Sequence, residues 1–257
     1  MRYYQSAERL PLRTIDRIMI ESVLFQHFLL TARHPFSPDA CLDAEFWASM
    51  ESVLGDAASC ADLSMADRPI LGVLLPLYRL ILTIVQLNHS PLRGDAVTLA
   101  ATQQEMAYWE ALIEETQLEN TVSRGIYNAL VVEYVLAASL MLEWIVNAAP
   151  GQELHPLNIC HGESWQLRRA IGILRRMMYK DDWTRCYLGT WPLQIFGYAA
   201  DAEEDIALIR EDLDRRRDVV GMGETVMIRS ELEAIWETRK DCARGFGFAP
   251  TGTQTGA

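Results

Sequence analysis

Apolar residues recur at three- and four-residue intervals through nearly the whole chain. The alternating Val, Ile and Thr runs with Asn-Gly or Asp-Gly turns that mark hairpins are missing. This pattern predicts an all-α fold, a single compact domain of about eight or nine mostly antiparallel helices over residues 1–244. The Gly- and Thr-rich residues 245–257 are expected to be a disordered tail.

A first helix is predicted from Thr14 to His34, with Ile18, Val23, Phe25, Phe28 and Leu29 apolar. It stops before Pro35, because proline disfavours the α conformation in the residue ahead of it. A short helix follows from Glu45 to Leu54, then a small-residue loop from Gly55 to Asp67, then a strongly apolar helix from Leu74 to His89. Gly94-Asp95 supplies a breaker and an N-cap for a helix through Leu118. From Val122 to Val146 two neighbouring apolar stripes cover most of the circumference, the mark of a buried central helix. Ser164 to Tyr179 sets an apolar face against Arg168, Arg169, Arg175 and Arg176, a pattern expected of a solvated basic face. Asp201 with Glu204 reads as a capping-box variant opening a helix to Arg217, and Gly221-Met222-Gly223 separates it from a last helix, Glu224 to Cys242.

With 257 residues, half of them apolar, the chain can bury a large core. The formal charge of -12 opposes a phosphate backbone, so no direct nucleic-acid binding is expected. Cys41, Cys60, Cys160, Cys186 and Cys242 show no C-x-x-C spacing and read as reduced thiols. The first residues lack the apolar segment of a secretory signal, which points to the cytoplasm or nucleus. The longest apolar run, Leu71 to Leu87, contains Pro76 and Arg79 and is shorter than the ~20 residues of a membrane span. No span is expected.

His155, Cys160 and His161 lack the spacing and carboxylates of a metal site, and the adjacent Asp181 and Asp182 do not share a helix face. No metal and no cofactor are expected. Glycine-rich phosphate loops, G-x-S-x-G and H-E-x-x-H are all missing, which argues against redox, phosphoryl-transfer and hydrolytic chemistry.

Two segments stand out. Arg68-Pro69-Ile70-Leu71-Gly72 through Leu77-Tyr78 to Ile81 is answered downstream by Trp191-Pro192-Leu193-Gln194-Ile195-Phe196-Gly197, with a late Trp at Trp236. This order resembles the C-terminal part of the regulatory domain of fungal zinc-cluster transcription factors. The resemblance implies a helical scaffold that holds a small apolar molecule or a protein partner, in the setting of fungal secondary metabolism. The six-cysteine zinc cluster of such regulators does not occur in this sequence, so the resemblance implies no DNA recognition by this chain.

Glu133 is the only charge between Ile126 and Leu142, in the helix expected to be most buried. Burial raises a carboxyl pKa, which suits a general acid or a hydrogen-bond donor to a ligand carbonyl; pairing with an Arg or Tyr is the structural alternative. His27, in an apolar segment, is a candidate base or donor, or a core histidine bonded to a backbone carbonyl. Trp144, Trp165, Trp183, Trp191 and Tyr198 are candidates to line an apolar ligand cavity, or to pack the core. Two functions follow as expectations. One is a regulator-like protein sensing an apolar metabolite or binding a transcription partner. The other is a cofactor-free cyclase, Diels-Alder-type pericyclase or isomerase for a terpenoid or polyketide intermediate, with His27, Glu133, Tyr134 and Arg185 as the polar catalytic set.

Overall fold

A computed structural model describes residues 14–36, 43–57, 75–89, 96–115, 122–148, 154–159, 164–221 and 223–245. Within them the fold is all-α, ten α-helices and short 3₁₀ turns with no strand. The loop from 58 to 67, Arg68 to Leu74 of the first landmark, Gly94-Asp95, Cys160, His161 and the tail from 246 lie outside the described residues. The chain divides into two compact units, Met1–Gln117 and Leu118–Ala257.

The first unit holds α1 (Thr14–Ala32), α2 (Ala44–Ala57), α3 (Leu75–His89) and α4 (Ala96–Glu115). α3 packs against both α1 and α4, and α2 packs on α1. Asp43 caps α2 by accepting the Phe46 N–H at 2.9 Å, and the helix carries on through Gly55 to Ala57, three residues past the expected stop. In the core, Tyr78 stands edge-on to Phe28, ring centres 4.5 Å apart, beside the buried Leu24, Leu77 and Ile81.

The second unit is built around one long inner helix. α5 (Val122–Asn147) is buried on almost every face from Val132 to Leu142, as its double apolar stripe requires. Around it lie α6 (Trp165–Met177), α7 (Asp181–Arg185), α8 (Thr190–Ala199), α9 (Glu203–Val220) and α10 (Gly223–Gly245). α5 packs on α6 and α8; α9 packs on α6, α7 and α10. Ser164 caps α6 by accepting the Leu167 N–H. Gly221, at φ 68°, takes the left-handed position that closes α9, where a residue without Cβ costs least.

The α9 start departs from the expected capping box: Ala202 is the cap residue and donates no side chain, while the Asp201 charge acts on Arg239 instead. The second landmark is itself a helix, α8, all ten of whose residues are buried. Pro192 fits its first turn, where a missing N–H breaks no helical bond. Gly197 faces α10, and its carbonyl accepts the Trp236 indole N–H at 2.9 Å. A Cβ at Gly197 would fall 2.6 Å from Leu232 Cδ2 and 3.1 Å from its Cγ. Gly197→Ala is therefore expected to cost about 1–3 kcal/mol of stability by overpacking, read as a lower urea midpoint at unchanged m value.

Among the described residues one stretch, Asn128–Asn147, is long and apolar enough to cross a membrane, and 83% of its most apolar window is buried inside the protein. The longest apolar stretch among the described residues is thus in the core helix α5.

Candidate functional site

Glu133 projects from the middle of α5 with no exposed surface, and neither carboxyl oxygen has a hydrogen-bond partner. Burial drives its pKa well above the usual carboxylate range; the Arg216 guanidinium pulls it part of the way back, and the Asp212 carboxylate pushes it up again. Burial thus disfavours the charged form of this carboxyl.

The two charges acting on it come from one turn of α9. Arg216 and Asp212 are both fully buried and paired, Nε to Oδ2 at 2.6 Å. Asp212 Oδ1 also accepts the Trp183 indole N–H at 3.1 Å, and the guanidinium carbon lies 5.2 Å from the centre of the Trp183 ring. Arg216 Nη1 donates to the Cys186 carbonyl, whereas Nη2 has no hydrogen-bond partner. Gly189 makes room for this: a Cβ there would sit 2.8 Å from Nη2 and 3.0 Å from Nη1. The turn between α7 and α8 is tied down from the other side by Tyr134, whose hydroxyl donates to the Leu188 carbonyl at 2.7 Å and whose ring stacks on Trp191 at 5.4 Å. Burial raises the Cys186 thiol pKa in the same place, with the Leu188 N–H and Arg216 acting against it, so the sulfur stays a thiol.

Glu133 and Trp183 are thus tied to one buried cation, while Tyr134 and Trp191 stack on each other and hold the turn before α8. Tyr198 belongs to a different polar knot: its hydroxyl donates to the Glu231 carboxylate and receives Gln194 Nε2 at 2.6 Å. Arg239 closes that knot through the carbonyls of Tyr198 and Pro156, both at 2.6 Å, and burial brings its pKa down to about 10. Trp144 is buried in α5, Trp165 is 40% exposed on α6, and Arg185 is exposed. His155 caps a 3₁₀ turn, its Nδ1 accepting the Leu157 N–H. Among the described residues no group of three or more His, Cys, Asp or Glu is placed to hold a metal.

His27 lies in the first unit and is half-buried. Its Nδ1 accepts the indole N–H of the buried Trp47 at 2.8 Å, which fixes the neutral ring with its proton on Nε2. The partner is an indole rather than the backbone carbonyl expected of a core histidine. Burial lowers the His27 pKa below 6.5, with Asp43 opposing. A folded pKa below the unfolded one makes this contribution complete above the unfolded value and lost as pH falls through the folded value. We expect acid to loosen α2 from α1 while the rest of the chain holds. Tryptophan fluorescence followed from pH 8 to 5 should show a transition in the wild type that His27→Gln lacks.

Asp212 and Arg216 were not expected from the sequence. They sit in Arg210 to Asp218, where eight of nine residues are charged, so composition hides them. Their one signal is register: Ile206, Ile209, Leu213 and Arg216 fall at i, i+3, i+7 and i+10 on one face. No protein-family model, no curated protein and no solved structure matches the chain.

Proposed function

We propose that the second unit is a sensor-like binding module for a small, largely apolar molecule carrying a carbonyl or hydroxyl oxygen, in a chain whose two landmarks, one in each unit, resemble a scaffold of the regulator type. One observation carries the reading: the buried Glu133 carboxyl and Arg216 Nη2 lack hydrogen-bond partners, yet their charges act on one another. Buried polar groups are almost always satisfied, so a set of unmatched donors and acceptors in one place asks for a partner from outside the chain. A neutral carboxyl donates its proton to a ligand oxygen and accepts from a ligand hydroxyl; Nη2 adds a second donor. The buried Trp183 ring, which lies against the Arg216 guanidinium, supplies apolar surroundings.

The test is thermal unfolding of wild type and Glu133→Leu with a terpenoid ketone, a long-chain methyl ketone and an aromatic polyketide lactone. At least one is expected to stabilise the wild type, by about 2.7 kcal/mol at a hundredfold excess over Kd, and none the variant. A variant that responds like the wild type, or a wild type that responds to none, overturns the reading.

A second reading, a cofactor-free cyclase or isomerase, is favoured by the same group, because a carboxyl whose pKa is raised by burial suits a general acid. Of its four polar residues, Tyr134 already donates to Leu188, Arg185 is exposed, and His27 belongs to the first unit. Conversion of a stabilising compound, lost in Glu133→Gln while binding is kept, would select this reading.

A further inference from the structure

The outer face of α6 has a sign opposite to that of the chain. Trp165, Arg168, Gly172, Arg175 and Arg176 fall within about a third of the helix circumference, and Tyr179 follows in the closing turn. Trp165 is 40% and Tyr179 64% exposed, although the same helix has apolar positions enough on its inner face, from Leu167 to Met177. Tyr179 is held in place from outside: the Arg215 guanidinium covers its ring at 5.0 Å. Arg175 reaches Asp205 only at 3.5 Å and stays 56% exposed. A Cβ at Gly172 would meet nothing within 4 Å, so the middle of the face is a shallow gap between arginines.

We propose that this face docks an acidic segment of a partner protein, one that also offers an apolar side chain to Trp165. Trp, Tyr and Arg are the residues in which binding energy concentrates at protein interfaces, and here they occur together without being needed for the core. Charge selects the partner. The face is about 17 Å long from Trp165 to Arg176. A short acidic segment feels the arginines within a Debye length of ~8 Å, while a nucleic acid extends beyond the face and meets a chain of net charge -12. The gap at Gly172 lets the partner's backbone or an apolar side chain approach the helix closely.

Panning a displayed library of random peptides, long enough to span the face, against the full chain tests this. Enriched peptides are expected to combine Asp or Glu with Leu, Phe or Trp and to bind more weakly as salt rises. Gly172→Glu and Arg176→Glu should each weaken them by about tenfold or more. Both positions are at the surface and Gly172→Glu favours the helix, so circular dichroism and the unfolding midpoint should match the wild type. Four results overturn the proposal: no enrichment, enriched peptides without acidic residues, equal binding to the variants, or tighter binding of single-stranded DNA or of a second copy of the chain at this face.

Discussion

Replacing Asp212 by alanine is expected to cost the second unit about 3–5 kcal/mol, the largest effect of any single change considered for this protein. The change strands the Arg216 guanidinium, which has no exposed surface, and leaves the Trp183 indole N–H without its acceptor. Breaking a buried pair on one side is far more harmful than replacing both members, so Asp212→Leu with Arg216→Met should recover much of the loss. A coupling to Glu133 is also expected. The Asp212 charge is one of the causes that raise the Glu133 pKa; without it the opposing pull of Arg216 on Glu133 is expected to shift that carboxyl towards its ionised form. Asp212→Ala combined with Glu133→Gln should then be worse than the sum of the two changes, measured by urea unfolding in a double-mutant cycle. A loss below about 1 kcal/mol for Asp212→Ala would mean that the guanidinium reaches water, contrary to its burial.

The second large effect has the opposite sign. Glu133→Leu is expected to stabilise the protein by about 1–3 kcal/mol near neutral pH, because it replaces an unsatisfied buried acid with an apolar side chain of similar size. The gain should depend on pH in a defined direction. The Glu133 pKa is raised on folding, so its contribution is fully favourable below the unfolded carboxyl value of about 4.5 and is lost as pH rises through the folded value. The advantage of Glu133→Leu should therefore be smallest in acid and grow as pH rises, in urea unfolding at a series of pH values. A residue that lowers stability where it stands, and whose removal abolishes ligand stabilisation, is one retained for binding rather than for the fold.

Apart from α7 and α8, for which no helix was expected, the helices were legible because each depends on local register. The double stripe of α5, the Ser164 cap of α6 and the Gly221 stop of α9 are written in residues near each other in sequence. Glu133 was legible for the same reason, as a lone charge in an apolar helix. What the sequence hid depends on contacts across many residues. Nothing near Gly189 announces that its missing Cβ admits a guanidinium from residue 216, and nothing near Gly197 announces Leu232 and Trp236. The aromatic candidates show the same limit. Trp183 lies against the buried cation, Trp191 stacks on Tyr134, Tyr198 joins another polar knot, and Trp165 faces outward, although all four are large apolar residues close to helical segments. The Asp201 cap is not formed: Ala202 takes the cap position, and the Asp201 charge acts on Arg239 of α10.

The most direct measurement is an infrared difference spectrum between wild type and Glu133→Gln at neutral pH, taken with and without a stabilising carbonyl compound. The structure predicts the carbonyl band of a protonated carboxylic acid that only the wild type shows and that the compound displaces to lower frequency. Wild-type and variant spectra identical in that region would show Glu133 ionised, and would contradict the account of the site.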